Sequence, residues 1–402
     1  MSANVLATSS IVAKESLAIL KNMLSFSKNV NRDYESEFSS NQSRGYSPGT
    51  TINIKRPPRY VFRPGRVAVP QATVETTIPL TLTTGGCDLS FTSIERTLSL
   101  NQLEKKIRAA IAPVANEIDR QGLQMAHFNS FNLVNAAGAL PTTQALAVQA
   151  MTDVNARLDN MAAPVKDGER YFIMNPRLNG SMVQGYSGLF NSAAKVSGQY
   201  TTGYMSDSFG LNPGMDQCVD THTNGTSTGG TAVTVGGVGS AIAVTAITGT
   251  LLRGSVINLP GVFAVNPQTR TSTGELADFV VTADVANGGT TINVSPALTI
   301  SGAFQNVSNA TTSGNWTLRG AASTAYGVNI AYHKDAFTLA MVPIDAPPAG
   351  TGVKSSTVSS DGFSLQVTEG YDIINAVSIM RIDALWGFAP TYPELSVRYH
   401  TL

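Results

Sequence analysis

The chain has 402 residues, enough for two or three domains with ample cores. Lys+Arg and Asp+Glu both number 27, and only 13% of residues are charged, against ~25% in typical soluble chains. This balance argues against a free nucleic-acid binder, which needs excess Lys and Arg, and fits a chain that hides surface in subunit contacts, where charge is depleted. Two cysteines, Cys87 and Cys218, with no CxxC pattern, argue against a disulfide framework and make a reducing compartment the default. No positively charged region precedes an apolar core near the N-terminus, so no signal peptide is expected. The greasiest run, Ala241 to Leu252, falls far short of the ~20 residues of a membrane helix.

Residues 5–29 read as an amphipathic helix, with Leu6, Ile11, Val12, Ala18, Ile19, Met23 and Phe26 on its apolar side. Residues 31–49 are polar and Ser-rich and read as a link. From Thr50 to Ser93 the pattern alternates. Val74, Thr76, Ile78, Leu80 and Leu82 face one way, while Glu75, Thr77, Pro79 and Thr81 face the other. Pro57, Pro58, Pro64 and Pro70 argue against a central sheet, so a two-stranded arm is predicted. Such a hairpin is marginal alone and needs something to lie on. The arm is basic: Arg44, Lys55, Arg56, Arg59, Arg63 and Arg66 occur with no acidic residue between Glu37 and Glu75. Three readings stay open for these charges: a solvated arm, ion pairs to a neighbouring subunit, or contact with DNA.

The segment from Ser99 to Asn132 carries the clearest helical period. Ile107, Ile111, Val114, Ile118, Gly122 and Met125 form one stripe, and Ser99 with Gln102 resembles a capping box. Pro113 predicts a kink or break. A helix over 100–131 would be about 45 Å long, either a core helix or a spine for flatter domains. A second helix opens at Pro141 and Thr142, with Val148, Met151, Val154, Leu158 and Met161 as its apolar face, and ends at Pro164. A buried-type strand follows at 170–175, then Gly-rich loops at Gly180, Gly185 and Gly188. Between 221 and 320, short alternating runs rich in Gly, Thr and Val are separated by turn signals, which predicts a small β-barrel or sandwich set into the chain like an insertion. Beyond Tyr326 mixed character returns: a strand at 336–342, alternation from Phe363 to Tyr371, an apolar strand pair from Ile373 to Leu385, and a strand-like end. The fold class is α+β.

Chemical motifs are sparse. His127, His222, His333 and His400 are scattered, without HExxH or HxH spacing, which argues against a metal site. GxSxG, GxxxxGK[ST] and GxGxxG after a strand are missing, and Glu117 and Asp119 point apart on one helix. Pro57-Pro58-Arg59-Tyr60 matches a PPxY pattern that chance explains in a Pro-rich arm. No enzyme and no cofactor is expected.

The order of elements resembles the major capsid proteins of tailed phages, the Hong-Kong-97 capsid fold, and looks most like the short-tailed Salmonella-phage branch with its inserted β-barrel. Four stretches carry the likeness: LNQLEKKIRAAIAPVANEIDRQGLQMA; ERYFIMNP; LLRGSVINLPGVFAVN with FVVTADVANGGTTINVSPAL; and HKDAFTLAMVPI with the closing SIMRIDALWGFAPTYPELSVRYH. The likeness is collinear over nearly the whole chain. It implies an N-terminal arm over 1–40, an extended loop over 41–95, and a peripheral domain over 96–165 with the spine helix, completed by 351–402. An axial domain would cover 166–220, completed by 323–350, and the inserted β-barrel 221–322.

The resemblance further implies hexamers and pentamers of an icosahedral shell around double-stranded DNA, assembled in the host cytoplasm, with scaffolding protein and portal protein as partners and no membrane. It places the basic loop residues at a subunit interface, makes Lys14, Glu15 and Lys21 candidates for scaffold contact, and makes Pro113 a candidate hinge for shell expansion. Thr221–Thr231 is short and uncharged where relatives carry a charged inter-capsomer loop. Residues 267–278, with Arg270 and Glu275, are the alternative location for that contact. The rival reading is a β-rich decoration or fibre protein, for which the aromatics of the predicted barrel, Phe263, Phe279, Phe304 and Trp316, are few.

Overall fold

The computed structural model describes the chain apart from residues 1–8, 34–49, 57, 63, 64, 67, 69, 74, 93–102, 166, 187–208, 349–352 and 361. The fold is mixed α+β, and the chain divides into two compact units. One comprises Met1–Ile54, Thr77–Gly122 and Thr338–Ala389; the other comprises Lys55–Thr76, Leu123–Phe337 and Pro390–Leu402.

In the first unit, helix α1 (Ser9–Met23) is followed by β1 (Thr51–Arg56), β2 (Thr76–Thr81), β3 (Thr83–Thr92) and most of α2 (Leu103–Asn129). Strands β15 (Thr338–Met341), β16 (Lys354–Ser360), β17 (Phe363–Asp372) and β18 (Val377–Ala389) complete it. Their order is β15-β18-β17-β16, with β3 also paired along β18 from Trp386↔Thr83 to Val377↔Thr92. Helix α1 lies on β16 and β17 and buries Ala13, Leu17, Ile19, Leu20 and Leu24 against them. Of the predicted apolar side, Ile19 and Phe26 are buried, Ala18 and Met23 are exposed, and Leu6 and the side chains of Ile11 and Val12 lie outside what is described, so the inner face is shifted from the predicted one. Leu17, Leu20 and Leu24, at spacings of three and four, outweigh the small Ala18 in the transfer energy they recover. Strands β1 and β2 form a two-stranded sheet with the predicted alternation, since Ile52, Ile54, Leu80 and Leu82 are buried and Thr77, Pro79 and Thr81 are exposed. Those four pack with Ala340 and Ala389, so the base of the hairpin lies on its own unit's sheet.

Of the kink or break expected at Pro113, the break does not occur: helix α2 runs through it. Pro113 is exposed, and so is Ala109, whose carbonyl loses its helical donor to the proline. Water can satisfy a carbonyl on that side, which removes most of the penalty. Ile111, Val114 and Ile118 are buried as the stripe requires, while the capping-box residues Ser99 and Gln102 lie outside the described residues. Gly122 is a packing glycine: a Cβ there would stand 2.7 Å from the Phe26 ring and 2.9 Å from Phe388. One turn earlier, buried Asp119 accepts hydrogen bonds from the Ser25 and Ser27 amides, at 2.7 and 2.8 Å, and from the Ser27 hydroxyl. These bonds fasten the segment after α1 to the long helix. The predicted strand pair from Ile373 to Leu385 is corrected. Residues 373–376 form a turn whose Asp372 carboxylate accepts from the Ile374 amide, and Ile373 and Ile374 are 84% and 93% exposed. Asp372 and Asn375 supply local turn bonds that outcompete a ladder there.

Among the described residues, the second unit holds two sheets. One has the order β4-β19-β14-β5-β6, from β4 (Asn132–Val134), β5 (Arg170–Met174), β6 (Asn212–Met215), β14 (Ala325–His333) and β19 (Ser396–Thr401). Strand β7 (Thr221–Thr223) pairs with β14, so the first residues of the predicted insertion belong to this sheet. Helix α3 (Gln144–Asn160) covers one face with Ala147, Met151, Val154 and Leu158, and Thr143 caps it. The loops predicted at Gly180 and Gly185 are instead helix α4 (Pro176–Tyr186); Gly188 lies outside the described residues. Asn175 caps α4 by accepting from Leu178 N, Pro176 supplies the first helical φ, and Gly185 lets the helix approach Ala147. Local capping and packing here override two glycines.

The other sheet is six-stranded and antiparallel throughout, in the order β8-β13-β10-β11-β12-β9. It comprises β8 (Gly229–Ala232), β9 (Gly239–Ala243), β10 (Val256–Val265), β11 (Ser272–Val281), β12 (Thr291–Leu298) and β13 (Asn315–Leu318). The two ends of that order meet: Val233, just after β8, bridges Val244, just after β9, and the Thr234 and Thr245 amides bond across to Ala243 and Ala232. Ile242, Ile257, Phe279, Ile292, Val294 and Trp316 fill its interior.

Candidate functional site

The basic arm residues are spread over several intrachain partners. Lys55 pairs with Glu75 at 2.9 Å, both exposed, and Arg56 donates to the Pro390 carbonyl. Arg59 pairs with Glu394 and lies over the Phe304 ring, while Arg66 is exposed. Arg44 and Arg63 lie outside the described residues. Arg56, Arg59, Phe304 and Glu394 all line a cleft of about 330 Å³ that reaches Phe131, Met161 and Phe279. Arg270, in a left-handed conformation, donates to the carbonyls of Tyr60 and Ala303. Glu275 pairs with Arg157. Arg270 and Glu275, predicted to reach a neighbouring subunit, thus have partners inside the same unit. On α1, Lys14 and Glu15 are exposed and Lys21 is half-buried.

A polar hub joins the six-stranded sheet to the rest of its unit. The buried Asp278 carboxylate, on β11, accepts from Arg157 Nη2 at 2.7 Å, Asn258 Nδ2 at 2.7 Å and the Leu133 amide at 3.0 Å. Arg319 Nε stands 3.4 Å away. Arg157 sits on the apolar face of α3 between Val154 and Leu158, and Asp278 opens the apolar run of β11. A charge inside an apolar period was the available signal for both, and sequence reasoning did not use it.

Three of the four histidines, scattered in sequence, converge. His127 from the end of α2, His222 from β7 and His400 from β19 surround Arg398, and all four are buried. His127 Nδ1 donates to Asp220 at 2.6 Å, His222 Nε2 lies 3.1 Å from Ser255 Oγ, and His127 and His222 meet edge to face. His400 stacks on Tyr326 at 4.8 Å between ring centroids. Arg398 donates to the carbonyls of Ser130 and Gly254. Burial is the main cause that lowers these groups: His127 to about 4, against the opposing pull of Asp220, and His222 to about 3, with help from the nearby positive charges of His127 and Arg398. Burial likewise holds His400 well below its ordinary range and brings Arg398 down to about 9. The fourth histidine, His333, donates to Asp167 at 2.8 Å, and Asp167, Glu169 and His333 bring donor atoms within 4.8 Å of one another. Lys334 already binds Glu169 at 2.8 Å, so the arrangement reads as an ion-pair cluster.

Residues 238–398 match the family model described as P22 coat protein, gene protein 5. The match is less than half of the chain and runs from the start of β9 into β19. No curated protein matches. Among solved structures the chain is similar to one titled Mycobacterium phage Che8, at 11% identity over 94% of this chain and 90% of that one, with a TM-score of 0.49. It is also similar to the capsid of the cyanophage P-SCSP1u, at 11% identity, 89% and 84% coverage and a TM-score of 0.43. A virus-like particle from Pyrococcus furiosus aligns at 8% identity, over 96% and 97%, with a TM-score of 0.39. Likenesses this distant carry no argument about function.

Proposed function

We propose that this chain is the major coat subunit of a tailed phage, building hexamers and pentamers of an icosahedral shell around double-stranded DNA. The observation that carries the reading is the coat-protein family match over 238–398, which takes in five strands of the six-stranded sheet, β9 to β13, and the closing strands into β19. The collinear resemblance of the earlier stretches supports it. On this reading the six-stranded sheet is an inserted barrel within 221–322, and the bridge between Val233 and Val244 supports its closure. The N-terminal arm (1–40), extended loop (41–95), peripheral domain (96–165 with 351–402) and axial domain (166–220 with 323–350) are parts of the same proposal.

The low charge fits a subunit whose surface is largely consumed by lattice contacts, many weak ones summed. Scaffolding protein would meet Lys14, Glu15 and Lys21, and a portal would occupy one vertex. Arg44, Lys55, Arg56, Arg59, Arg63 and Arg66 would serve the loop's contact with a neighbour, and Arg270 with Glu275 a contact between capsomers. Pro113 would absorb bending during expansion; an unchanged expansion temperature in Pro113→Ala would sink that part. The test of the whole reading is negative-stain electron microscopy with sedimentation, on the chain alone and with its scaffold. Closed shells of uniform size are expected. Discrete monomers or trimers under both conditions would overturn the coat reading in favour of a decoration or fibre protein.

A further inference from the structure

The buried cluster of His127, His222, His400 and Arg398 sits where four pieces of one unit meet. The end of α2 brings His127, and β7 brings His222. Strand β19 brings Arg398 and His400. The turn entering β10 brings Gly254 and Ser255, to which Arg398 and His222 bond. Gly254 is pressed between the rings: a Cβ there would lie 3.1 Å from His127 Nε2 and 3.2 Å from His222. Around the cluster stand Arg253, Arg319 and Arg398 as cations and Asp220 and Asp278 as anions. Asp278 is already committed to Arg157 and Asn258, and Asp220 to His127. Several polar atoms at the centre have no hydrogen-bond partner among the described residues: His127 Nε2, both ring nitrogens of His400, and Arg398 Nη2. A proton added to these rings would therefore create charge beside Arg398, with both described carboxylates there, Asp220 and Asp278, already engaged.

We propose that this cluster is an acid-labile joint: proton uptake by His127, His222 and His400 parts β7 and β19 from the turn entering β10 and so loosens the six-stranded sheet from the body sheet, while both sheets stay folded. The direction follows from linkage. Histidines held below their ordinary value of about 6.5 favour the closed form fully above that pH, and the preference is lost as pH falls through the window down to about 4 for His127 and about 3 for His222. Each histidine that must charge raises the open population by up to about tenfold per pH unit in that window. The contrary pull of Asp220 acts on both His127 and His222, and burial outweighs it at each.

The experiment uses the full chain between pH 7.5 and 5, where carboxylates stay ionised. Deuterium exchange at the imidazole C2 position, read by mass spectrometry, shows whether any of the three histidines reaches its midpoint within this range, and backbone amide exchange reports opening. No midpoint within the range is expected for any of the three, with protection lost at β7, β19 and residues 253–256 before β11 and β12. His400→Phe keeps the stack on Tyr326 and cannot take a proton; it should reduce the pH dependence of opening by about tenfold per pH unit. Midpoints near 6.5, simultaneous loss of protection in both sheets, or the same acid opening in His400→Phe would each overturn the proposal. If His400→Phe does not fold, the midpoints and the order of amide exchange in the unmodified chain decide it.

Discussion

Replacing Asp278 by asparagine keeps the shape of the hub and removes its charge. The carboxylate holds Arg157, Asn258 and the Leu133 amide at hydrogen-bond distance, with Arg319 Nε at 3.4 Å. An asparagine offers one carbonyl oxygen and turns an N–H₂ group towards donors, so two contacts are lost. Hydrogen bonds to a charged partner contribute about 1.5–3 kcal/mol each, and a buried cation left without its partner costs about 3–5 kcal/mol. Glu275 still reaches Arg157, but it is 55% exposed and offsets little. Asp278→Asn should therefore destabilise the second unit by about 3–4 kcal/mol. Urea unfolding followed by Trp316 fluorescence in a Trp386→Phe background reads this, because Trp316 is buried in the six-stranded sheet's core. A cycle with Arg157→Met should return a coupling of about 2 kcal/mol, since the two residues lose the same contact. A cost below about 1 kcal/mol, or a coupling near zero, would refute the assignment of Asp278 as the fastening point.

Three other outcomes are expected. Gly122→Ala gains about 1 kcal/mol of helix propensity but drives a methyl into Phe26 and Phe388, so a net loss of about 1–2 kcal/mol should appear in thermal unfolding. Asp119→Ala strands three donors at Ser25 and Ser27; a loss of about 3 kcal/mol is expected, with faster amide exchange over residues 24–30. Arg59→Glu sets like charges against Glu394 and should change stability by less than about 1 kcal/mol, because the pair is partly exposed, while raising proteolytic cleavage over 58–62.

The parts of this fold legible in the sequence are those written locally. The stripe of α2 and the alternation of β2 place their buried residues correctly, and the turn signals of 221–320 delimit the six-stranded sheet. What was illegible is long-range or competitive. Arg157 and Asp278 are 121 residues apart, and no local period ties one to the other. His222 and His400 come together because β7 and β19 both pair with β14, and His127 joins them from the end of α2. Pro113 reads as a breaker, but position on the solvent side of a long helix decides its cost. Ile373 and Ile374 read as core because a hydropathy pattern does not register the turn bonds that push both side chains outward. That Arg270 and Glu275 bond within their own unit depends on contacts no sequence window contains.

The place of β19 at the heart of its sheet has a consequence for synthesis. Strand β14 pairs with β19 along six residues, and β4 finds its parallel partner only there. Some 68 residues separate the end of β14 at His333 from the end of β19 at Thr401. At about 5–20 residues per second, the ribosome leaves one side of β14 open for several seconds after that strand is made. During that time an apolar strand edge is presented to any neighbouring nascent chain, a hazard met by chaperones and by slow, dilute expression. Yield of native protein should therefore depend on the rate of translation between those two strands more than on the stability of the finished fold.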